Sequence, residues 1–146
     1  MKIRSLILAG LLAGSVVVVA APAEAAPQIK IHKVYFNSPG DDTGSNRSLN
    51  AEFITLKNTG TTKRSLRGWS VRDGAGFTYS FGRYTLRPGA YVTIHTGRGD
   101  DTRRHRYWDR DWYVWNNTGD TAKLRRPDGT RVDTCSWNGS GSVKRC

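Results

Sequence analysis

The most chemically distinctive part of the sequence is residues 98–115, where arginines are interleaved with aromatic residues. A guanidinium group forms paired hydrogen bonds with phosphate or carboxylate and also stacks on rings. Aromatic rings beside arginines form stacking platforms for single-stranded nucleic acid, and such rings can equally contact the faces of sugars. We therefore predict a ligand-binding surface formed by Arg103, Arg104, Arg106, Tyr107, Trp108 and Arg110.

A second interpretation of this segment is open. Successive side chains of a strand point to opposite sides, so a strand over residues 112–115 would place about half of its aromatic rings in the core. The arginines would then form a solvated loop, because neighbouring aspartates nearly balance their charge. These aspartates are Asp100, Asp101, Asp109 and Asp111.

Histidines are the residues most suited to acid–base catalysis, and the chain has three of them. His32 and His95 lie within predicted strands, and His105 lies in the arginine-rich run. The sequence contains no Gly-x-Ser-x-Gly, His-Glu-x-x-His or phosphate-loop motif. We therefore predict no catalytic residue, no enzymatic activity and no cofactor. A small hydrolase whose site has no recognisable motif is the least favoured alternative.

Residues 41–46 form an oxygen-rich stretch, Asp-Asp-Thr-Gly-Ser-Asn, of the kind that can ligate calcium. The stretch lacks the spacing of an EF-hand loop and its closing glutamate. A solvated turn is the simpler interpretation, so we predict no metal site and leave calcium binding as an open alternative.

The N-terminus has the pattern of a secretory signal peptide. Lys2 and Arg4 precede an apolar run that reaches Ala21, and Ala23-Glu24-Ala25 is a small-x-small cleavage pattern. We predict a cleaved signal over residues 1–25, a single domain over residues 26–146 and no membrane span after cleavage; an uncleaved anchor is the alternative. The protein is then secreted and extracellular, either free or associated with the cell wall.

The charge of the chain favours an anionic partner. The sequence has 23 Lys+Arg and 12 Asp+Glu, a formal net charge of +11, and removal of residues 1–25 leaves 21 − 11 = +10. Such an excess of positive charge indicates which partners a protein can bind and not which fold it adopts. In an oxidising compartment the only two cysteines, Cys135 and Cys146, are expected to form one disulfide.

Hydrophobic residues of the remaining chain repeat with a period of two, which is typical of strands. No segment predicts a helix, and turn sequences such as Asp73-Gly74 and Pro88-Gly89 separate the apolar runs. Seven to nine short strands at this spacing indicate an all-β fold, an immunoglobulin-like antiparallel β-sandwich.

Five of these runs, in this order and spacing, resemble the lamin tail domain family. They are Glu52–Asn58, Leu66–Asp73, Leu86–Ile94, Trp115–Leu124 and Pro127–Asp133. The resemblance covers about residues 28–137 and implies an immunoglobulin-like sandwich, found in nuclear lamins and in exported bacterial proteins. It also implies that these motifs are structural and not catalytic.

The expected function is therefore that of an exported, non-catalytic binding module. Its expected partner is an anionic polymer or cell-surface component, such as a cell-wall polymer or polysaccharide. A stand-alone nucleic-acid-binding domain is the alternative.

Overall fold

The computed structural model describes residues 28–146, and the predicted signal peptide lies outside these residues. The described residues form eleven strands and one short helix, α1 (Asn46–Ala51). The strands are β1 (Ile29–Tyr35), β2 (Phe53–Asn58), β3 (Arg64–Ser65), β4 (Ser70–Arg72), β5 (Thr78–Ser80), β6 (Thr85–Leu86), β7 (Tyr91–His95), β8 (His105–Tyr107), β9 (Asp120–Arg125), β10 (Arg131–Trp137) and β11 (Val143–Arg145).

The strands form two main sheets. One has five strands in the order β11-β1-β2-β7-β8, and the other has four in the order β10-β9-β4-β5. Strands β3 and β6 form a separate two-stranded ladder. All pairings are antiparallel except that of β7 with β8. The immunoglobulin-like all-β sandwich is thus confirmed; several of the eleven strands have only two or three residues, too short for a periodicity of two to register.

The core lies between the two main sheets. Alternate residues of the five-stranded sheet, such as Ile54 and Ile94, are buried together with Val71, Ala122 and Leu124 of the four-stranded sheet. Burial of apolar surface is the main source of stability for such a sandwich.

The expectation that no segment is helical was wrong for α1. Ser45 caps this helix, since its Oγ accepts a hydrogen bond from the Ser48 N–H, and Leu49 is its buried residue. Six residues are fewer than two turns, so they show no helical periodicity in the sequence.

Residues 112–115, whose composition resembles a strand, form no strand. The Val114 N–H instead donates to Oε1 of Glu52 at 2.8 Å, and the same oxygen accepts from the Thr96 hydroxyl at 2.6 Å. Burial raises the pKa of Glu52 to about 7, although these hydrogen bonds oppose the rise and Asp42 adds to it. The carboxyl group therefore fixes the segment that follows β8 to the ends of β2 and β7.

The predicted disulfide is confirmed. Cys135 of β10 and Cys146 are bonded, with Cα atoms 5.7 Å apart. The Cys146 N–H also donates to the His32 carbonyl at 3.0 Å. The bond therefore links the four-stranded sheet to β11 at the edge of the five-stranded sheet.

No helix among residues 28–146 has the length and hydrophobicity needed to cross a membrane.

Candidate ligand-binding surface

The five-stranded sheet has one side in the core and one side directed outward. Because side chains alternate along a strand, the residues between the buried positions share the outward side. We call this side the outer face. Strand register and the bulge at residue 32 assign to it Lys30, His32, Lys33, Tyr35, Phe53, Thr55, Lys57, Tyr91, Thr93, His95, His105, Tyr107, Val143 and Arg145.

Aromatic rings form a continuous row across four strands of the outer face. Tyr35 stacks with Phe53 at 5.4 Å between ring centroids, and Phe53 lies 5.7 Å from His95. His95 in turn stacks with Tyr107 at 5.1 Å. Three steps between adjacent strands give the row a length of about 14 Å.

A depression of about 420 Å³ lies beside this row. Thr55 and Thr93 lie on adjacent strands in its lining, and their hydroxyls are hydrogen-bonded at 3.1 Å. Because these side chains are small and the surrounding ones are large, they form its floor. Its walls are His32, Lys33, Phe53, Tyr91, His95 and His105.

All three histidines of the chain meet at this depression. His95 Nδ1 lies 2.8 Å from the Asn50 carbonyl, which can only accept, so Nδ1 carries the proton. Nε2 of neutral His95 then accepts from Nδ1 of His105 at 2.9 Å. Burial lowers the pKa of His95, with a further contribution from His105, against the opposing Asn50 hydrogen bond.

The charges on the outer face are positive. Burial, followed by Lys57, Lys33 and Arg145, lowers the pKa of His32. Lys33 Nζ lies 5.2 Å from the centroid of Phe53, and Lys57 Nζ lies 4.9 Å from that of Tyr91. Among the described residues of these five strands, no acidic side chain is directed outward. The outer face therefore combines half-buried and exposed rings with cations.

The six predicted site residues do not form one patch. Tyr107 pairs with His95 and lies on the outer face, whereas Arg106 pairs with Ile94 and lies on the opposite side of the sheet. The Arg106 guanidinium lies 4.4 Å from the Tyr84 ring centroid and 2.8 Å from an Asp101 carboxylate oxygen.

Trp108 and Arg110 also lie away from the outer face. Trp108 packs edge-on against Tyr79 at 5.9 Å and Trp115 at 5.8 Å, next to the core. The Arg110 guanidinium lies 4.2 Å from the Phe77 ring centroid. The Trp108 ring and the Arg110 guanidinium thus pack against aromatic rings within the domain.

Arg103 and Arg104 are exposed and border a groove of about 380 Å³. The Tyr84 hydroxyl donates to the Arg103 carbonyl at 2.7 Å, and the Thr93 N–H donates to the Arg104 carbonyl at 2.9 Å. These bonds fix the backbone and leave both guanidinium groups at the rim. The groove is also lined by Arg87 and Tyr91, so Tyr91 connects it to the outer face.

Of the six predicted residues, Tyr107 lies on the outer face and Arg103 and Arg104 border the adjoining groove, whereas the prediction named none of the residues that β1, β2 and β7 contribute to the outer face. A signal was present, since the outward positions of all three strands are mostly aromatic or basic. The outward positions of separate strands can be combined into one face only when the register between the strands is known. The register places Lys33 opposite Thr55, across the bulge at His32.

The oxygen-rich stretch at residues 41–46 is part of the fold around α1. Asp42 Oδ2 accepts from Asn117 Nδ2 at 3.0 Å, and Asn46 is the first helical residue. Within residues 28–146, no three His, Cys, Asp or Glu side chains are grouped so that they could hold a metal ion.

Comparison with known proteins agrees with this architecture. The family model described as Lamin Tail Domain matches residues 22–139, whereas no curated protein matches the chain. The family consists of immunoglobulin-like, non-enzymatic modules, and the match covers most of the 146 residues. The chain therefore belongs to the lamin tail domain family.

Proposed function

We propose that this interaction module binds an anionic polymer across the outer face and the adjoining groove. The observation that carries the proposal is the combination of a half-buried, outward-directed aromatic row with cations and no outward acidic side chain within the described strands. A cluster of one sign of charge attracts oppositely charged ligands and raises their association rate. The rings supply contact area that does not depend on charge.

The extended shape of the surface favours a polymer over a small metabolite. The row is about 14 Å long, and Tyr91 joins it to the groove that carries Arg87, Arg103 and Arg104. A chain of repeating anionic units can contact both parts at once. Phosphate or carboxylate groups would meet the lysines and arginines, while sugar or base rings would lie against the aromatic row.

Single-stranded nucleic acid is the second candidate ligand. The stacking of outward rings on adjacent strands, beside Lys33 and Lys57, favours it. Such rings stack with bases, and the cations follow the phosphate backbone. Wall polymers and carboxylated polysaccharides use the same cations but make no base stacking.

The proposal includes export and the absence of catalysis. The signal-like pattern of residues 1–25 supports export to a compartment rich in anionic polymers. The non-enzymatic character of the family supports a binding role.

A retention experiment with three polyanions tests the proposal. The protein is applied to immobilised poly(glycerol phosphate), polygalacturonate and a single-stranded oligo-dT. We expect retention on at least one of them at about 50 mM sodium chloride and a steep loss at about 300 mM, because ion contacts release counterions. Preference among the three identifies the polymer class.

A matched pair of double variants locates the site. Lys33→Ala with Lys57→Ala removes two charges from the outer face, and Lys123→Ala with Arg131→Ala removes two from the four-stranded sheet. We expect about a tenfold loss of affinity for the first pair and little change for the second. Equal losses in both pairs, or no retention of the parent protein on any polymer, would refute the proposal.

A further inference from the structure

A separate cleft of about 570 Å³ lies between residues 73–77 and residues 112–120, with Asp42 at its edge. Its lining shares no residue with the depression on the outer face or with the arginine-rimmed groove. The binding proposed for the outer face and the groove therefore does not account for this cleft.

Two exposed aromatic side chains border the cleft. Trp112 is 59% exposed and Phe77 is 40% exposed, which is unusual for large apolar groups. The Trp112 ring nevertheless packs against the backbone of Gly44. A Cβ at Gly44 would lie 2.5 Å from this ring, and the φ of +67° at that position also favours glycine. The tryptophan thus contacts the chain at Gly44 while most of its ring is exposed.

A donor and an acceptor that have no partner are buried beneath the floor of the cleft. Asp73 and Trp115 line the cleft although they are only 1% and 2% exposed. Oδ1 of Asp73 accepts from the N–H groups of Gly76 and Phe77 at 2.6 and 2.7 Å. Oδ2 of Asp73 and Nε1 of Trp115 have no hydrogen-bond partner. Buried polar groups are normally hydrogen-bonded, but both atoms are buried, so a ligand hydroxyl reaches them only when side chains that line the floor move.

The chemistry of these groups selects a hydroxyl-bearing ligand. A hydroxyl group donates one hydrogen bond and accepts others, so hydroxyls can satisfy both the carboxylate oxygen and the indole N–H. Trp112 supplies a flat apolar surface for the C–H face of a sugar, and Phe77, whose ring also carries the Arg110 guanidinium at 4.2 Å, adds apolar contact at the border of the cleft. Asp42 and Asp120 place further negative charge around the cleft and disfavour phosphate, sulfate or uronate groups.

We infer that this cleft binds neutral hexopyranose units of a glycan chain. Trp112 and Phe77 contact the sugar face, while Asp73 and Trp115 hydrogen-bond its hydroxyls. This site is distinct from the outer face in both position and charge. The protein could therefore hold a neutral glycan and an anionic polymer at the same time.

Titration with cellohexaose, maltohexaose and chitohexaose tests the inference. Binding is followed by isothermal calorimetry and by quenching of tryptophan fluorescence. We expect at least one of these neutral oligosaccharides to bind with an affinity that does not change with salt, unlike the polyanions. Absence of binding for all three would overturn the inference.

Matched aromatic variants assign the binding to the cleft. Trp112→Ala should weaken oligosaccharide binding by about tenfold or more, and Trp112→Phe should restore part of it, because the ring contributes apolar area and stacking. Tyr91→Ala, which removes a similarly exposed ring from the outer face, is the control and should leave it unchanged. Unchanged binding in Trp112→Ala, or equal losses in Trp112→Ala and Tyr91→Ala, would overturn the inference. Retention of Trp112→Ala on immobilised polyanions is measured in parallel. This measurement separates a failure of the glycan inference from a failure of the proposed polyanion site on the outer face.

Discussion

The buried carboxyl group of Glu52 makes the stability of the fold depend on pH in a direction opposite to that of a typical paired carboxylate. Burial raises its pKa from 4.5 to about 7 in the folded protein. The folded state therefore binds the proton more tightly than the unfolded chain. The stabilising contribution is fully present below pH 4.5 and is lost as the pH rises through about 7. This rise corresponds to about 3 kcal/mol of unfolding free energy.

Substitution Glu52→Gln isolates this contribution. The amide oxygen can still accept from the Thr96 hydroxyl and the Val114 N–H, but the side chain no longer ionises. Oε2 of Glu52 has no partner, so an NH₂ group in its place would lower stability similarly at every pH. The diagnostic quantity is therefore the slope of stability with pH and not its absolute value.

Urea unfolding followed by tryptophan fluorescence, from below pH 4.5 to above pH 7, measures this slope. The stability of Glu52→Gln relative to the parent protein should rise by about 3 kcal/mol across that range. Asp100→Asn is the control, since this carboxylate is exposed. If the difference between Glu52→Gln and the parent protein is constant with pH, the carboxyl group is not neutral in the fold and the reasoning fails.

Two further predictions concern the outer face and the disulfide. Polyanion binding should strengthen as the pH falls below 6.5, because His32 and His95 have lowered pKa values and are neutral at pH 7 but gain positive charge in acid. Retention on polyanions at about pH 5 and about pH 7.5 measures this change. Loss of the change in the double variant His32→Gln with His95→Gln would show that these two histidines cause it. Replacing Cys135 and Cys146 by alanine should lower the unfolding free energy by about 3 kcal/mol, measured by urea unfolding. An unchanged midpoint and slope would show that the bond adds no constraint.

The strands and the disulfide were predictable because their signals are local. Alternation over Ile54 and Leu56 depends only on neighbouring residues, and a chain with two cysteines can form only one disulfide within itself. The outer face was not predictable because it depends on pairing between distant segments. The parallel contact of β8 with β7, which places His105 beside His95, joins segments whose mutual register no periodicity specifies.

The backbone hydrogen bonds of residues 112–115 also could not be predicted from the sequence, because they depend on a distant residue. Their composition favours a strand, yet the Val114 N–H donates to a carboxyl oxygen of Glu52, 62 positions away in the sequence. A side chain that satisfies a buried donor replaces the partner strand that composition alone would require. The sequence shows which residues favour extended backbone, but not which distant group completes the hydrogen bond.

The hydrogen bond between Val114 and Glu52, which takes the place of a strand pairing, explains how residues 105–115 contribute both to the basic outer face and to the acidic cleft. Strand β8 directs Tyr107 to the outer face, and the chain then turns at Asp109, which has a positive φ of 59°. Glu52 fixes the chain again at Val114, between exposed Trp112 and buried Trp115. A strand over residues 112–115 would have placed both tryptophans on opposite sides of one sheet. The irregular segment instead brings them to the same cleft, with Trp112 at its rim and Trp115 at its floor. Glu52 therefore acts as a positioning residue for the proposed glycan site.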